Sequence, residues 1–188
     1  MILFFQKLAL KSRFVGIIIA LLLFVAADSI LTNFPEGMAH LRQVSAGHGL
    51  LEDHFWFNPS QARQIFTAWG KPGVEWYLTT GVWLSALLPL TAAGLFLITF
   101  LYFLKKINPR ASGWYLSPFL PLAAGAASLL QILSELLLAL FQPSSDFLYY
   151  PGAVFLSTSW VLWAISGLFV VFLLGWQFFQ RGRRLFRT

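Results

Sequence analysis

The chain has 188 residues, 58% of them hydrophobic and only 11% charged, where soluble domains carry about a quarter charged residues. Its formal charge is +6, from 13 Lys and Arg against 7 Asp and Glu, and it has no cysteine. This excludes an ordinary soluble domain, thiolate chemistry, disulfides and Cys-ligated metals, and no nucleic-acid-binding module accompanies the positive charge.

In chain order, Met1–Arg13 interleaves Ile2, Leu3, Phe4, Phe5, Leu8 and Leu10 with Gln6, Lys7 and Lys11. That pattern predicts a short interfacial helix running on into a first span. A spanning helix needs about 20 largely apolar residues, and four segments qualify: about 14–33, 76–104, 114–141 and 150–179. The first is read as an uncleaved span continuing through Asp28-Ser29-Ile30-Leu31. Its alternative is a secretory signal cleaved after Val25-Ala26-Ala27, leaving three spans.

Residues 34–75 form the one sizeable loop. Within it a short helix is expected around Met38–Val44, and Phe55-Trp56-Phe57 reads as an aromatic interface anchor. Asn58-Pro59-Ser60 followed by Gln61–Trp69 and Gly70 is a punctuated helix: Asn58 can cap free amides, Pro59 suits the first turn, and Gly70 can take a positive-φ stop. Ile65, Phe66 and Trp69 share one face of it. Lys71-Pro72-Gly73 is expected to turn the chain into the second span, with Trp76-Tyr77, Trp114-Tyr115 and Tyr149-Tyr150 as belt residues opening spans two to four.

Pro89 in span two and Pro118 and Pro121 in span three predict kinks. Ala123–Ala127, with Gly125 at its centre, is a small-residue patch on which another helix can sit closely. The halves do not align with each other, which disfavours an inverted-repeat transporter.

Ten of the 13 Lys and Arg lie in three segments free of acids. These are Lys7, Lys11 and Arg13; Lys105, Lys106 and Arg110; and Arg181, Arg183, Arg184 and Arg187. By the positive-inside rule both termini and the middle loop are cytoplasmic and the 34–75 loop faces out. The expected location is a bacterial cytoplasmic (inner) membrane, crossed several times.

Ionisable residues inside spans mark candidate sites, and Asp28 and Glu135 are the two here. Both lie about three-quarters along outward-running spans, so at about 1.5 Å per residue they reach similar depth. Gln131, Ser134 and Glu135 fall on one helical stripe, span four brings Ser157, Thr158 and Ser159 to that level, and span two brings Thr79 and Thr80 nearer the surface. No Lys, Arg or His lies deep in a span, so a cation, a proton or a donor-bearing lipophile suits the layer better than an anion. In the loop, His48, His54 and Glu52 are weak metal candidates whose spacing matches no standard zinc motif. No GxSxG, phosphate-loop, GxGxxG or CxxC motif occurs.

Phe57-Asn58-Pro59-Ser60-Gln61-Ala62 and Trp69-Gly70-Lys71-Pro72-Gly73-Val74-Glu75-Trp76-Tyr77-Leu78 together resemble a pattern in small bacterial four-span proteins of unknown function. There a capped surface helix follows the first span and a glycine turn leads to the second. The resemblance covers about half the chain and implies architecture alone.

The expected fold is therefore an all-α, four-helix membrane bundle forming a single domain, with a helical outer loop. The expected function is non-enzymatic: an accessory protein or subunit holding a lipophilic small molecule or another membrane protein at the polar layer. Glu135, Gln131, Asp28, Ser134, Ser157 and Thr158 would recognise it, under an apolar lid of Phe66 and Trp69. The lipid bilayer is an expected partner, nucleic acid is not, and the cofactor is unknown. The alternatives are a proton- or cation-coupled transporter or channel component using Glu135, and a membrane enzyme on a lipid or isoprenoid substrate.

Overall fold

The computed structural model describes residues 2–33, 37–45, 47, 49–107 and 112–185, with side-chain surroundings for all of these except 107, 112 and 181–185. Among the described residues there are seven α-helices and no strand. The first helix, α1 (Ile2–Lys11), stops instead of running into α2 (Phe14–Asn33). The Ser12 amide and hydroxyl both turn back onto the Ala9 carbonyl, at 3.0 and 2.7 Å, and Lys105 Nζ donates to the Ser12 carbonyl at 2.8 Å. With the chain broken there, α1 folds across the end of the other helices. Phe5 and Ala9 are buried against Phe100, Leu101, Leu104, Tyr115 and Leu173, while Leu3, Phe4 and Leu10 stay exposed.

After the short helix α3 (Met38–Val44), α4 (Pro59–Trp76) opens with the expected caps. Asn58 Oδ1 accepts the Gln61 amide at 2.9 Å and Gln61 Oε1 accepts the Asn58 amide at 3.0 Å, a reciprocal pair that satisfies two free donors. At Gly70 the backbone takes φ 55, ψ −164, which only glycine adopts without strain. The helix restarts at Lys71, with Pro72 in its first turn where a missing amide costs nothing. It then runs without a loop through a π-helical segment, Tyr77–Gly81, into α5 (Val82–Ile107). The helix of span two thus begins at Lys71, ahead of the expected Trp76. Trp76 and Tyr77 are buried in the core and are not belt residues.

A 3₁₀ turn, Ser112–Leu116, leads to α6 (Phe119–Phe141). Pro118 is its N-cap and Pro121 lies in its first turn, so neither kinks the span as expected. The 3₁₀ turn Asp146–Tyr149 leads to α7 (Tyr150–Leu185). Of the predicted belt residues here, Trp114 and Tyr150 are exposed, but Tyr115 and Tyr149 are buried. Phe57 is likewise core, against Gly152 of α7, whereas Phe55 and Trp56 are exposed.

Packing centres on α5, which contacts α2, α6 and α7, while α6 lies along α7. The small-residue patch serves this approach: a Cβ at Gly125 would fall 3.1 Å from Ala93 Cβ of α5, and Ala124 and Ala127 are buried. Four helical stretches are long and apolar enough to cross a membrane. The outward faces of α2 and α7 are apolar and uncovered, with Leu22, Leu168, Val171 and Phe178 all more than 60% exposed.

Candidate functional site

The 34–75 loop does not merely sit on top of the helices; part of it is inserted among them. Adjacent Leu50 and Leu51 are 1% and 0% exposed and carry the segment inward, forming a 3₁₀ turn over Leu51–Asp53. Two polar contacts hold the turn from its own side: Asp53 Oδ2 accepts the Leu50 amide at 3.2 Å, and Trp69 Nε1 donates to the Gly49 carbonyl at 3.1 Å. From the helix side, Glu135 Oε1 accepts the Leu51 amide at 3.1 Å. Its Oε2 accepts Gln131 Nε2 at 2.8 Å, one helical turn earlier on α6. Glu135 and Gln131 are 1% and 2% exposed, so a carboxyl that would be costly to bury alone has a donor on each oxygen. The Tyr77 hydroxyl lies beside Glu135 yet makes no hydrogen bond among the described residues.

Glu52 follows Leu51 and turns the other way. Its Oε1 accepts Ser85 Oγ of α5 at 2.8 Å, and it is close enough to Glu135 for the two carboxyls to interact electrostatically. Burial pushes the Glu52 carboxyl up to about 7, against the pull of the Ser85 hydrogen bond and with a further rise from the charge of Asp53. One face of Glu52 remains open because it lines a cavity of about 510 Å³.

That cavity carries its carboxyls at one end and is mostly apolar along its length, where Ser128 and Ser159 are the polar lining residues among those described. Glu52 and Asp53 of the loop, Ser85 of α5 and Gln131 of α6 form the polar end. From Ser85 the α5 wall continues through Leu88, Pro89 and Ala92 to Phe96, about 16 Å at about 1.5 Å per residue. Phe24 and Leu31 of α2 line one side and Leu156, Trp160 and Trp163 of α7 the other. Trp163 is fixed by donating its indole N–H to Ser128 Oγ of α6 at 3.1 Å. Helices α2 and α7 do not pack along each other, and Trp160 is 48% exposed, so the cavity reaches the surface between them.

Of the residues singled out from the sequence, Glu135 and Gln131 are brought together. Asp28 is not: it is exposed on α2, outside the polar end. Ser134 is half-buried on the α7 side, beside Gly152, donating to the Leu130 carbonyl. Ser157 ties α7 to the loop, donating to the Phe55 carbonyl at 2.9 Å, and Thr158 is exposed. Thr79 is exposed as well, whereas Ser159, with its hydroxyl bonded to the Leu156 carbonyl, lines the cavity. Phe66 and Trp69 are not a lid over this cavity. Both are core residues, Trp69 packed against Phe66 and Tyr77 with ring centroids 5.1 Å apart in each case.

His48 lies outside the described residues. His54 is exposed, and Glu52 is engaged by Ser85. No group of three His, Asp or Glu able to hold a metal occurs among the described residues. Sequence reasoning missed the inward turn of Glu52 and the role of Ser85. The signal was present in Leu50-Leu51, two large apolar residues directly before an acid within a loop, which demand burial and carry the acid in with them.

No protein-family model, no curated protein and no solved structure matches this chain.

Proposed function

We propose that this is a multi-pass protein of the bacterial inner membrane, with both termini cytoplasmic, that binds an amphiphilic small molecule without transforming it. The supporting observation is the cavity of about 510 Å³, whose carboxyls and Gln131 are gathered at the end nearest the inserted loop. Its remaining length is mostly apolar, with the Ser128 and Ser159 hydroxyls bonded to carbonyls of their own helices. That volume is in the range of small-molecule sites, which combine an apolar lining with a few placed polar groups. The uncovered apolar faces of α2 and α7 suit lipid contact, and the gap between them offers a ligand a route in from the bilayer. The three acid-free basic segments support the orientation. A hydrolytic or isomerising enzyme is less favoured, since His54 is exposed and His40 lies beside Trp76, 6.5 Å between centroids.

The test is to purify the protein gently in native lipid and identify by mass spectrometry what accompanies it, comparing wild type with Ala92→Phe. A stoichiometric lipophile present in the wild type and lost from the variant supports the reading. A protein partner retained by both, with no lipophile, would make the chain an assembly subunit and overturn it.

A further inference from the structure

The hydrogen-bond inventory of the cavity is unbalanced. Its hydroxyl protons are already committed inside the protein: Ser85 donates to Glu52, Ser128 to the Ala124 carbonyl, and Ser159 to the Leu156 carbonyl. The Trp163 indole is committed to Ser128. Acceptors are left over. The second oxygen of Glu52, the second oxygen of Asp53 and the side-chain oxygen of Gln131 receive no hydrogen bond among the described residues. The last belongs to a side chain only 2% exposed that lines the cavity. Among the described lining side chains, the donors left uncommitted are the second amide proton of Gln131 and the indole of Trp160. Trp160 lies one helical turn beyond Leu156 on α7, on the apolar wall and not at the polar end. Among the described residues, no Lys, Arg or His lines the cavity.

We propose that the cavity takes an amphiphile with a cationic, donor-bearing head, a primary or secondary amine, seated between Glu52, Asp53 and Gln131 with its apolar body along α5 and α7. This rests on the amphiphile-binding reading above and adds the chemistry of the head. Acceptors left over at the polar end of a cavity suit a ligand that brings donors, and two carboxyls with no cation among the described lining residues favour positive charge. A phosphate or carboxylate head would face acceptors with acceptors. An alcohol could satisfy one or two oxygens but would leave the charge unmatched. The open side of Glu52 supports the assignment, because Ser85 and the burial around it fix the carboxyl while one face stays free.

The experiment is native mass spectrometry of the delipidated full chain in dodecyl maltoside, titrated with dodecylamine, dodecanol and dodecyl phosphate, on wild type, Glu52→Gln and Ala92→Phe. Circular dichroism checks that each variant is folded, and Asp53→Asn serves as a second head-group variant. The expected result is a one-to-one amine adduct at least about tenfold tighter than the alcohol. Glu52→Gln should reduce the amine to the level of the alcohol, and Ala92→Phe should remove both. Alcohol or phosphate adducts equal to or tighter than the amine, yet removed by Ala92→Phe, would overturn the amine head and leave the cavity reading standing. Adducts indifferent to Ala92→Phe would overturn the cavity reading itself.

Discussion

The backbone amide of Leu51 donates to Glu135 Oε1 at 3.1 Å across 84 residues of sequence. Through this bond a carboxyl in a long apolar helix is anchored to a loop, and the loop is anchored in turn. Removing the acceptor should therefore do more than remove a polar group. Glu135→Ala leaves the Leu51 amide and Gln131 without their buried acceptor, a loss of about 1–3 kcal/mol for each orphaned group. Glu135→Gln keeps an oxygen for Leu51, and Gln131 can turn its own oxygen to meet the new amide. We expect Glu135→Ala to lower Tm strongly and open the 49–53 segment to protease, while Glu135→Gln stays near wild type in both assays.

Trp69 supports the same loop from the other side. Its indole donates to the Gly49 carbonyl and its ring is fully buried between Phe66 and Tyr77. Trp69→Phe removes the hydrogen bond and some volume, for about 1–2 kcal/mol, and Trp69→Ala should cost about 3–5 kcal/mol. Both losses should appear in thermal melts. At temperatures where Trp69→Phe is still folded, its occupancy by lipophile should match wild type, since Trp69 does not line the cavity. A selective loss of ligand with unchanged stability would restore the lid that the sequence suggested.

Arg63 shows the opposite case, a contact that looks strong and should contribute little. Its guanidinium meets Asp146 Oδ1 at 2.6 Å, donates to the Ser144 carbonyl at 2.7 Å and lies 5.1 Å from the Tyr149 ring centroid. Both ionic side chains are exposed, at 41% and 64%, where water and salt screen the attraction and ordering two long side chains offsets it. Arg63→Ala should leave the Tm close to wild type, and added salt should shrink any difference.

The four long helices and the capped helix at Asn58 were legible because their signals are local. Apolar length and cap chemistry need no partner to be read. Glu135 with Gln131 was legible for the same reason, as a polar stripe at helical spacing. The remainder of the site depended on contacts across the chain. Nothing in the sequence around Ser85 says that a loop acid 33 residues away will meet it, and depth along a span could not tell an inward-facing Glu135 from an outward-facing Asp28. The prolines misled by position: Pro118 and Pro121 lie within an apolar run but at the start of its helix, where proline is harmless.

Glu52 sets the pH dependence. In the folded protein its carboxyl is pushed up to about 7 from an ordinary value of 4.5, chiefly by burial. Below about 4.5 it is protonated folded or unfolded and affects stability equally little. Between 4.5 and 7 the folded state holds the extra proton, so stability falls as pH rises through that window. Above 7 both states are ionised and the full penalty applies. Screening through the open side of the cavity reduces that penalty to about 1–2 kcal/mol, or about 2–4 °C in Tm per kcal/mol for a chain of this size. Glu52→Gln keeps the acceptor for Ser85 and cannot ionise. Its Tm should match wild type near pH 4.5 and exceed it by several degrees at about pH 8. Parallel melting curves across that range would mean that Glu52 is not confined as described, and the polar end of the cavity would have to be redrawn.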